Sequence, residues 1–299
     1  MSESKRVAFI GLGVMGGPMA GHLARAGIDV IAYNRSPART QNWRETWAGE
    51  GLEVVFADTP AKAAEAADVV CTCVGNDEDL ASVTTSPSGV LEKMREGALL
   101  IDHTTTSAHM ARDLGAACAA KGVYFVDAPV SGGQAGAENG QLAIMCGGSE
   151  EAMSRAQAVM TAYAKTIVHV GPIGAGQTAK MANQMCIAGV LGGLSEAIRL
   201  AQGAGLDLNK TYEAISGGAA QSWQMDNRWT TMTKDEFDFG FAIDWMRKDL
   251  GYALDEAQRL GLSSPITALV DQFYAEVQNS GGNRHDTSAL ITRLPKAKT

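Results

Sequence analysis

The stretch Val7-Ala8-Phe9-Ile10-Gly11-Leu12-Gly13-Val14-Met15-Gly16 decides the fold, because a short apolar run enters a Gly-x-Gly-x-x-Gly turn and a helical pattern leaves it. Gly11 permits the tight turn, Gly13 lets the backbone approach a pyrophosphate, and Gly16 lets the helix pack against the strand. The helix start, with Val14 and Met15 beside it, offers unpaired N–H groups to the phosphates. An ordinary strand–turn–helix is the alternative. The pattern predicts a dinucleotide-binding turn.

Length and composition are those of an ordinary globular protein. The chain has 299 residues, of which 45% are hydrophobic and 19% charged, enough for two domains with substantial cores. The net charge of −8 argues against a nucleic-acid partner, since phosphate binding needs a concentrated basic face. No apolar run reaches the roughly 18 residues of a membrane helix. Residues 1–6 lack the apolar stretch of a signal peptide, so we expect a cytoplasmic protein.

The five cysteines are too few and too scattered for a disulfide framework. Cys71 and Cys73 lie two residues apart in an apolar run, so strand alternation places both thiols on one face. A redox pair is one interpretation. Small core side chains are the favoured one.

Strand-like runs alternate with helix-like segments over the first 170 residues. The predicted strands are 6–10, 28–33, 52–56, 68–74, 98–102, 123–127, 141–146 and 166–170, and stretches such as 60–67 and 106–120 read as helices between them. This alternation predicts an α/β fold with a Rossmann-like, doubly wound parallel sheet. Gly/Pro punctuation at 171–176 ends the pattern, so we assign 1–170 to a dinucleotide-binding domain and 171–299 to a second domain.

The second domain reads as all-helical. Residues 177–203 form one long helical pattern, and further helices are predicted at 207–217, 221–232, 243–260 and 265–280. Three glycines weaken the long helix by propensity, which predicts close packing against another helix at Gly189, Gly192 and Gly193.

The end of the second strand favours NADP over NAD. An NAD site places an acidic residue about 20 residues after the glycines, but this chain has Asn34-Arg35-Ser36 there. Arg35 is placed to pair with a 2′-phosphate, Ser36 can donate a hydrogen bond, and Arg39 adds charge one turn later. A solvated strand-end cation is the alternative for Arg35.

Three further segments carry polar groups that suggest chemistry. Ser131-Gly132-Gly133 follows a predicted strand, where its N–H groups and hydroxyl can bind a carboxylate, unless it is a flexible surface loop. Lys180 shares a helix face with Asn183 and Gln184 among small and apolar neighbours, a setting that can lower a lysine pKa. Lys248 precedes Asp249 on a predicted helix, where exposed charges are the default interpretation.

Together these segments resemble the β-hydroxyacid dehydrogenases, the family of 3-hydroxyisobutyrate dehydrogenase and tartronate semialdehyde reductase. The resemblance runs from about residue 6 to about 293 and rests on the glycine turn, 127–133, 174–180 and Lys248-Asp249-Leu250. It implies a Rossmann-like domain joined through the long helix to a helical substrate and dimerisation domain like that of 6-phosphogluconate dehydrogenase. It also implies an active site in the cleft between them and a homodimer or homotetramer.

Roles follow from the resemblance residue by residue. Lys180 would be the catalytic acid/base, with Asn183 supporting it, and Gln184 would lie beside the substrate. Ser131, Gly132 and Gly133 would bind the carboxylate of a small substrate. The cofactor set would comprise Gly11, Gly13, Val14, Met15, Gly16, Asn34, Arg35, Ser36, Val74, Thr105 and Lys248. No metal-ligand spacing is present, so a metal-independent hydride transfer between a 3-hydroxyacid and its semialdehyde or keto form is expected.

Two departures leave the substrate open. Gln184 stands where the family often has a second Asn, and Trp245 replaces an aliphatic residue before Met246. Two other functions compete: an imine reductase-like enzyme, in which the lysine position usually carries another residue, and a non-catalytic NADP-binding sensor or scaffold. NAD in place of NADP is the alternative cofactor.

Overall fold

The computed structural model describes residues 6–48, 51–52 and 54–296. Residues 1–5, which belong to the segment where the sequence analysis found no signal-peptide pattern, lie outside the described residues. The described chain divides by its contacts into two compact units, one ending at Lys180 and the other beginning at Met181. The division falls inside the long helix, whereas the sequence places a domain boundary at 170/171. That domain boundary stays a prediction.

The first unit contains a nine-stranded sheet. Its strands are β1 Arg6–Ile10, β2 Asp29–Tyr33, β3 Val55–Phe56, β4 Val69–Thr72, β5 Leu99–Asp102, β6 Tyr124–Asp127, β7 Val130–Ser131, β8 Leu142–Gly148 and β9 Ala164–Gly171. Its helices are α1 Gly16–Arg25, α2 Pro37–Ala48, α3 Pro60–Ala64, α4 Asp77–Thr84, α5 Val90–Lys93, α6 Ala108–Ala119, α7 Gly133–Glu138 and α8 Glu150–Met160.

The sheet order is β3-β2-β1-β4-β5-β6-β8-β7, with β9 paired to β8. Strands β1 to β6 are parallel, which confirms the doubly wound prediction for that part. The later strands differ from the prediction, since β8 runs antiparallel to both β6 and β7, and β7 was not predicted. The connections on both sides of β7 are shorter than the dozen or so residues that a parallel crossover needs.

Both faces of the parallel sheet are covered, which explains why its strands read as continuous apolar runs. In β1, Val7 and Phe9 join the core on one face, while Ala8 and Ile10 join the core on the other. Alternation also places Cys71 and Cys73 against one core, as predicted. Burial raises the pKa of the Cys71 thiol to about 12, which supports a core role rather than a redox role.

Helix α9 Ala175–Gly203 leads into the second unit, where α10 Leu208–Ser216, α11 Trp223–Thr233, α12 Ile243–Arg259 and α13 Pro265–Asn279 precede a short 3₁₀ segment, Thr287–Arg293. The all-helical prediction holds for this unit's described residues. A Cβ would fit at each of the three glycines, so the structure does not show the close packing predicted there. A Cβ at Gly192 would lie 3.6 Å from Val270 and one at Gly189 would lie 3.9 Å from Ile266, whereas Gly193 faces open space.

Candidate active site

The glycine turn between β1 and α1 forms a cradle that only glycine can line. Gly11 has a φ of +101°, and a Cβ there would lie 2.2 Å from the Cys73 carbonyl oxygen. A Cβ at Gly16 would lie 2.0 Å from the Gly11 oxygen and 3.1 Å from the Phe9 ring. The turn therefore packs against the ends of β1 and β4, leaving Val14 exposed above it. This backbone suits a dinucleotide pyrophosphate.

The end of β2 is tied to this turn by Asn34. Its Oδ1 accepts a hydrogen bond from Leu12 N at 2.9 Å, and its Nδ2 donates to the Ser36 carbonyl at 3.0 Å. Arg35 is exposed and pairs with Asp79 of α4 at 2.8 Å. A Cβ at Gly13 would lie 3.4 Å from the Arg39 guanidinium. The structure therefore places the Arg39 guanidinium at the glycine turn and the Arg35 guanidinium against α4.

The loop after β5 presents one residue outward. Thr104 and Thr106 are buried, while Thr105 between them is partly exposed. Val74 N donates to the Thr104 hydroxyl at 3.1 Å, so the loops after β4 and β5 are joined at Val74. Gln177 holds the same loop from both sides, accepting from Thr106 N at 3.0 Å and donating to the Thr104 carbonyl at 2.7 Å.

The start of α9 is fixed by Asp127 at the end of β6. One carboxylate oxygen accepts from Gly174 N at 2.7 Å, and the other accepts from Gln177 N at 2.9 Å. An acidic side chain at a helix N-terminus satisfies unpaired N–H groups and interacts favourably with the helix dipole. Gly176 is required by the close approach of β6, since a Cβ there would lie 2.6 Å from the Asp127 carbonyl oxygen. Asp127 and Gln177 therefore fix the helix that carries Lys180.

Lys180 lies one turn beyond Gln177 on α9 and is 7% exposed. A lysine is almost never fully buried unless it is paired. Lys180 is therefore not the solvated lysine that is usual near the start of a helix. The residue predicted to be the acid/base is buried.

The segment Ser131-Gly132-Gly133 connects β7 to α7. Gly132 and Gly133 have φ values of +131° and +63°, which explains glycine at both positions because L side chains rarely adopt them. Both glycines are exposed and Ser131 is half-buried. The segment is a defined turn between a strand and a helix rather than an irregular loop.

In the second unit, the predicted residues form one polar chain. Asn183 Nδ2 donates to Gln184 Oε1 at 2.8 Å, and Gln184 Nε2 donates to Asp249 Oδ2 at 2.7 Å. The other oxygen of Asp249 lies 3.2 Å from Lys248 Nζ. The structure thus brings Asn183, Gln184 and Lys248 together through a carboxylate that the sequence analysis took for a surface charge.

Asp249 could have been found from the helical period of α12. Its position falls on the same face as Met246 and Ala253, which are both buried, and Asp249 is itself only 2% exposed. An acidic residue on a buried helix face needs a partner. Lys248 is also flanked by two aromatic rings, with Nζ 5.8 Å from the Trp245 ring centroid and 5.2 Å from that of Tyr252. Trp245 therefore contacts the predicted cofactor lysine.

A second buried carboxylate lies beside Asp127 in the sheet. Asp102 pairs with Asp127 in the β5–β6 register, and its Oδ1 accepts from the Thr72 hydroxyl at 2.7 Å. Burial is the main reason that the pKa of Asp102 rises to about 7, and the neighbouring Asp127 contributes in the same direction. Burial also raises the pKa of Asp127 to about 6, opposed by its N–H partners.

His103 is buried and neutral. Burial lowers the pKa of His103 to about 4. Its Nδ1 lies 2.7 Å from the Ala128 carbonyl, which can only accept, so Nδ1 carries the proton. Its Nε2 then accepts from the Tyr163 hydroxyl at 2.8 Å. These contacts give His103 a structural role, joining the loop after β5 to Ala128 and Tyr163.

Within the described ranges, no helix has the length and apolar character needed to cross a bilayer. The same residues contain no group of three or more His, Cys, Asp or Glu side chains arranged to hold a metal ion.

Two family models match consecutive parts of the chain. The NAD-binding domain of 6-phosphogluconate dehydrogenase matches residues 6–171, and the NAD-binding domain of NADP-dependent 3-hydroxyisobutyrate dehydrogenase matches residues 174–294. The first alone spans more than half of the sequence. The chain belongs to the β-hydroxyacid dehydrogenase family. It is therefore an NAD(P)-dependent oxidoreductase of hydroxyacids.

Individual relatives agree with this assignment. The 2-(hydroxymethyl)glutarate dehydrogenase of Eubacterium barkeri is 33% identical over 97% of this chain and 95% of its own length. The Mycobacterium tuberculosis 3-hydroxyisobutyrate dehydrogenase, solved with L-serine, has a TM-score of 0.87 at 32% identity, covering 97% of this chain and 99% of that one. An imine reductase from Pseudomonas has a TM-score of 0.61 at 18% identity, covering 98% of this chain and 100% of its own, and shares the fold alone.

Proposed function

We propose that this protein interconverts a small 3-hydroxyacid and its semialdehyde or keto form with NADP, using Lys180 as the general acid/base. The observation that carries the proposal is the burial of Lys180 on a helix whose start is fixed by Asp127 and Gln177. Gln177 also fixes the loop that presents Thr105. One buried side chain thus sets the positions of both the proposed acid/base and the proposed nicotinamide contact.

The bound nicotinamide supplies or accepts the hydride. In oxidation, Lys180 Nζ takes the hydroxyl proton of the substrate, and in reduction it returns a proton to the developing alkoxide. General acid–base help of this kind is worth about 10²–10⁴-fold in rate. The ammonium group also stabilises negative charge on the substrate oxygen.

The turn at Ser131-Gly132-Gly133 is the proposed carboxylate site. Its exposed glycines have positive φ values, a setting in which successive backbone N–H groups can bind an anion, and the Ser131 hydroxyl is a further donor. The relatives named for hydroxyacid oxidation act on substrates that carry a carboxylate, which favours this assignment.

The proposed cofactor set keeps NADP ahead of NAD. Arg39 lies at the glycine turn, Arg35 follows the Asn34 that is bonded to this turn, and Asn34 stands in the sequence where an NAD site has a carboxylate. The match to the NADP-dependent 3-hydroxyisobutyrate dehydrogenase domain supports the same choice. Gly11 and Gly16 let the turn pack against the ends of β1 and β4, and Gly13 is proposed to face the pyrophosphate.

In the second unit, Asn183 and Gln184 are proposed to contact the substrate or Lys180, and Lys248 to bind the cofactor. Asp249 orients the side-chain amide of Gln184 through a hydrogen bond and the Lys248 ammonium through an ion pair, and Gln184 in turn accepts a hydrogen bond from Asn183. These contacts favour a defined role for Gln184, at the position where the family often has Asn.

The alternatives are weaker on chemical grounds. An imine reductase usually carries another residue at the lysine position, whereas this chain buries Lys180. A sensor that had lost its chemistry would have no need of a buried lysine and an exposed carboxylate-binding turn. We therefore keep alcohol and carbonyl chemistry as the proposed reaction.

A homodimer or homotetramer is proposed from the surface of the second unit. Val190, Gly193, Ala197 and Leu200 lie at helical spacing on one exposed face of α9. Ile266 of α13 is 61% exposed and lies next to Gly189 of α9. An exposed apolar face of this kind favours a second copy as its cover. A cytoplasmic location is proposed from the five free cysteines.

Steady-state kinetics on a substrate panel test the proposed reaction. The panel holds small semialdehydes and cyclic imines for reduction and 3-hydroxyacids for oxidation, each with both nicotinamide cofactors. We expect turnover of a carboxylate-bearing substrate, with a higher kcat/KM for NADPH than for NADH. A matched semialdehyde whose carboxylate is replaced by an amide should lose most of its kcat/KM. Cofactor binding without turnover of any substrate would favour the sensor, and turnover of cyclic imines alone would favour the imine reductase.

A further inference from the structure

The residue that pairs with Arg35 opposes the binding of a 2′-phosphate. Arg35 Nη1 lies 2.8 Å from Asp79 Oδ1, and the two side chains are 79% and 27% exposed. We propose that Asp79 is a specificity-determining residue, which competes with the 2′-phosphate for Arg35 and so limits the preference for NADP over NAD. The inference rests on the proposed role of Arg35.

Asp79 is the fixed partner of this pair. It lies in the first turn of α4, where its N–H donates to the Oδ1 of the capping residue Asn76 at 2.8 Å. Leu80 and Thr84 of the same helix are fully buried. The neighbouring Asp77 accepts from Ser107 N at 2.9 Å and from the Ser107 hydroxyl at 2.6 Å, which ties α4 to the start of α6.

Arg35 is the adjustable partner. Its side chain is largely in solvent. Arg35 lies in the short loop between β2 and α2, where Asn34 donates a hydrogen bond to the Ser36 carbonyl. A 2′-phosphate offers a bidentate, doubly charged acceptor for a guanidinium. To reach it, Arg35 must leave or share Asp79, and the phosphate must approach a fixed carboxylate of like charge. Both effects reduce the affinity that the 2′-phosphate adds. Neither effect changes the affinity for a ribose that lacks this phosphate.

Glu78 provides an internal control for charge alone. It precedes Asp79 in the first turn of the same helix and is exposed. Glu78→Gln removes one negative charge from the same helix turn but leaves the Arg35–Asp79 pair in place. A general field effect would appear in both variants, whereas competition for Arg35 would appear only in Asp79→Asn.

The test uses direct binding to the full-length protein, so its readout is independent of turnover. The probes are adenosine 2′,5′-bisphosphate and 5′-AMP, which differ only in the 2′-phosphate, measured by calorimetric titration at low and moderate salt. We expect Asp79→Asn to tighten the bisphosphate Kd by about two- to fivefold, the range of an exposed ion pair. The Kd of 5′-AMP should not change, Glu78→Gln should match the wild type, and added salt should reduce the gain.

Arg35→Ala separates this inference from the proposed cofactor. If Arg35→Ala weakens the bisphosphate but Asp79→Asn leaves it unchanged or weaker, the competition is overturned and the NADP assignment stands. A gain from Asp79→Asn that persists undiminished in the Arg35→Ala background, or that Glu78→Gln reproduces, also overturns it. If Arg35→Ala has no effect and the wild type binds both probes equally, the NADP assignment itself fails, and the role of Asp79 with it.

Discussion

The proposed site depends on a few polar side chains whose partners lie at very different distances along the chain. Asn34 and Arg35 follow a strand at a fixed distance from the glycine turn, so their proximity to it was predictable from chain order alone. Asp249 reads as an ordinary helix charge and Asp127 receives no role of its own, because their partners lie 65 and 47 residues away in sequence. The helical period of α12 is the one local sign that Asp249 is buried, and only the folded structure brings Asp127 to the start of α9.

The buried carboxyl of Asp102 has a consequence for stability against pH. Its folded pKa of about 7 lies above the ordinary value of 3.8, so the folded state holds this proton more tightly. The resulting stabilisation is complete below about pH 3.8 and is lost as the pH rises through about 7.

Asp102→Asn should therefore flatten the loss of stability between about pH 5 and pH 8, removing on the order of 2 kcal/mol of it. The measurement is the free energy of unfolding from denaturant titrations at several pH values. Asp58→Asn is the control, since the Asp58 side chain lies on the surface, 86% exposed, and pairs with Lys62 rather than with a histidine. An Asn variant with the same pH slope as the wild type would contradict the buried, raised pKa.

At the scale of elements, sequence analysis predicted β1 to β6 and α9 to α13 because their patterns are local. Apolar runs covered on both faces identify the strands, and helical periodicity identifies the helices. It missed β7, which has two residues and pairs only with β8, and it missed the antiparallel direction of β8. Both depend on short connections, whose geometry no local pattern encodes.

The attachment of α9 to the loop after β5 is the element-scale feature that function requires. Gln177→Met keeps the side-chain volume but leaves Thr106 N and the Thr104 carbonyl without their partner. Each buried orphan costs about 1–3 kcal/mol, so the melting temperature should fall. We also expect kcat to fall about tenfold or more, because misplacement by 1 Å costs about 10²-fold, with a smaller change in KM for the substrate.

The same experiment separates positioning from stability. Assays are run well below the melting temperature, with Thr178→Val as the control, since Thr178 is exposed and bonds only within its own helix turn. The pH profile of kcat should shift in Gln177→Met if Lys180 is displaced. A variant that is less stable but has wild-type kcat and pH profile would show that Gln177 has a structural role only.

For the whole molecule, the exposed face of α9 and α13 predicts self-association. Placing a charge in that face, as in Leu200→Glu combined with Ile266→Glu, should lower the mass in solution from an oligomer to the monomer of 31.3 kDa. Light scattering after size exclusion measures this. Val168→Glu is the control, because Val168 is also exposed but lies on β9 of the first unit. A wild-type protein that is monomeric at micromolar concentration would contradict the proposal.

The combination of segments carried the functional prediction further than any one of them. The glycine turn predicts a dinucleotide, the 127–133 and 174–180 segments resemble the family, and the fold places Asp127 and Gln177 so that they join those segments. The substrate side chain was beyond reach, because it depends on residues such as Gln184 and Trp245, whose partners come from distant parts of the second unit.

The rate of the Lys180→Ala variant tests the central claim most directly. With the best substrate of the panel and saturating NADPH, we predict that kcat falls by about 10²–10⁴-fold, the usual contribution of a general acid/base. The Kd for NADPH should stay within about twofold, and the exposed Lys165→Ala should behave as the wild type. A Lys180→Ala enzyme that folds, binds NADPH and turns over at close to the wild-type rate would contradict the account.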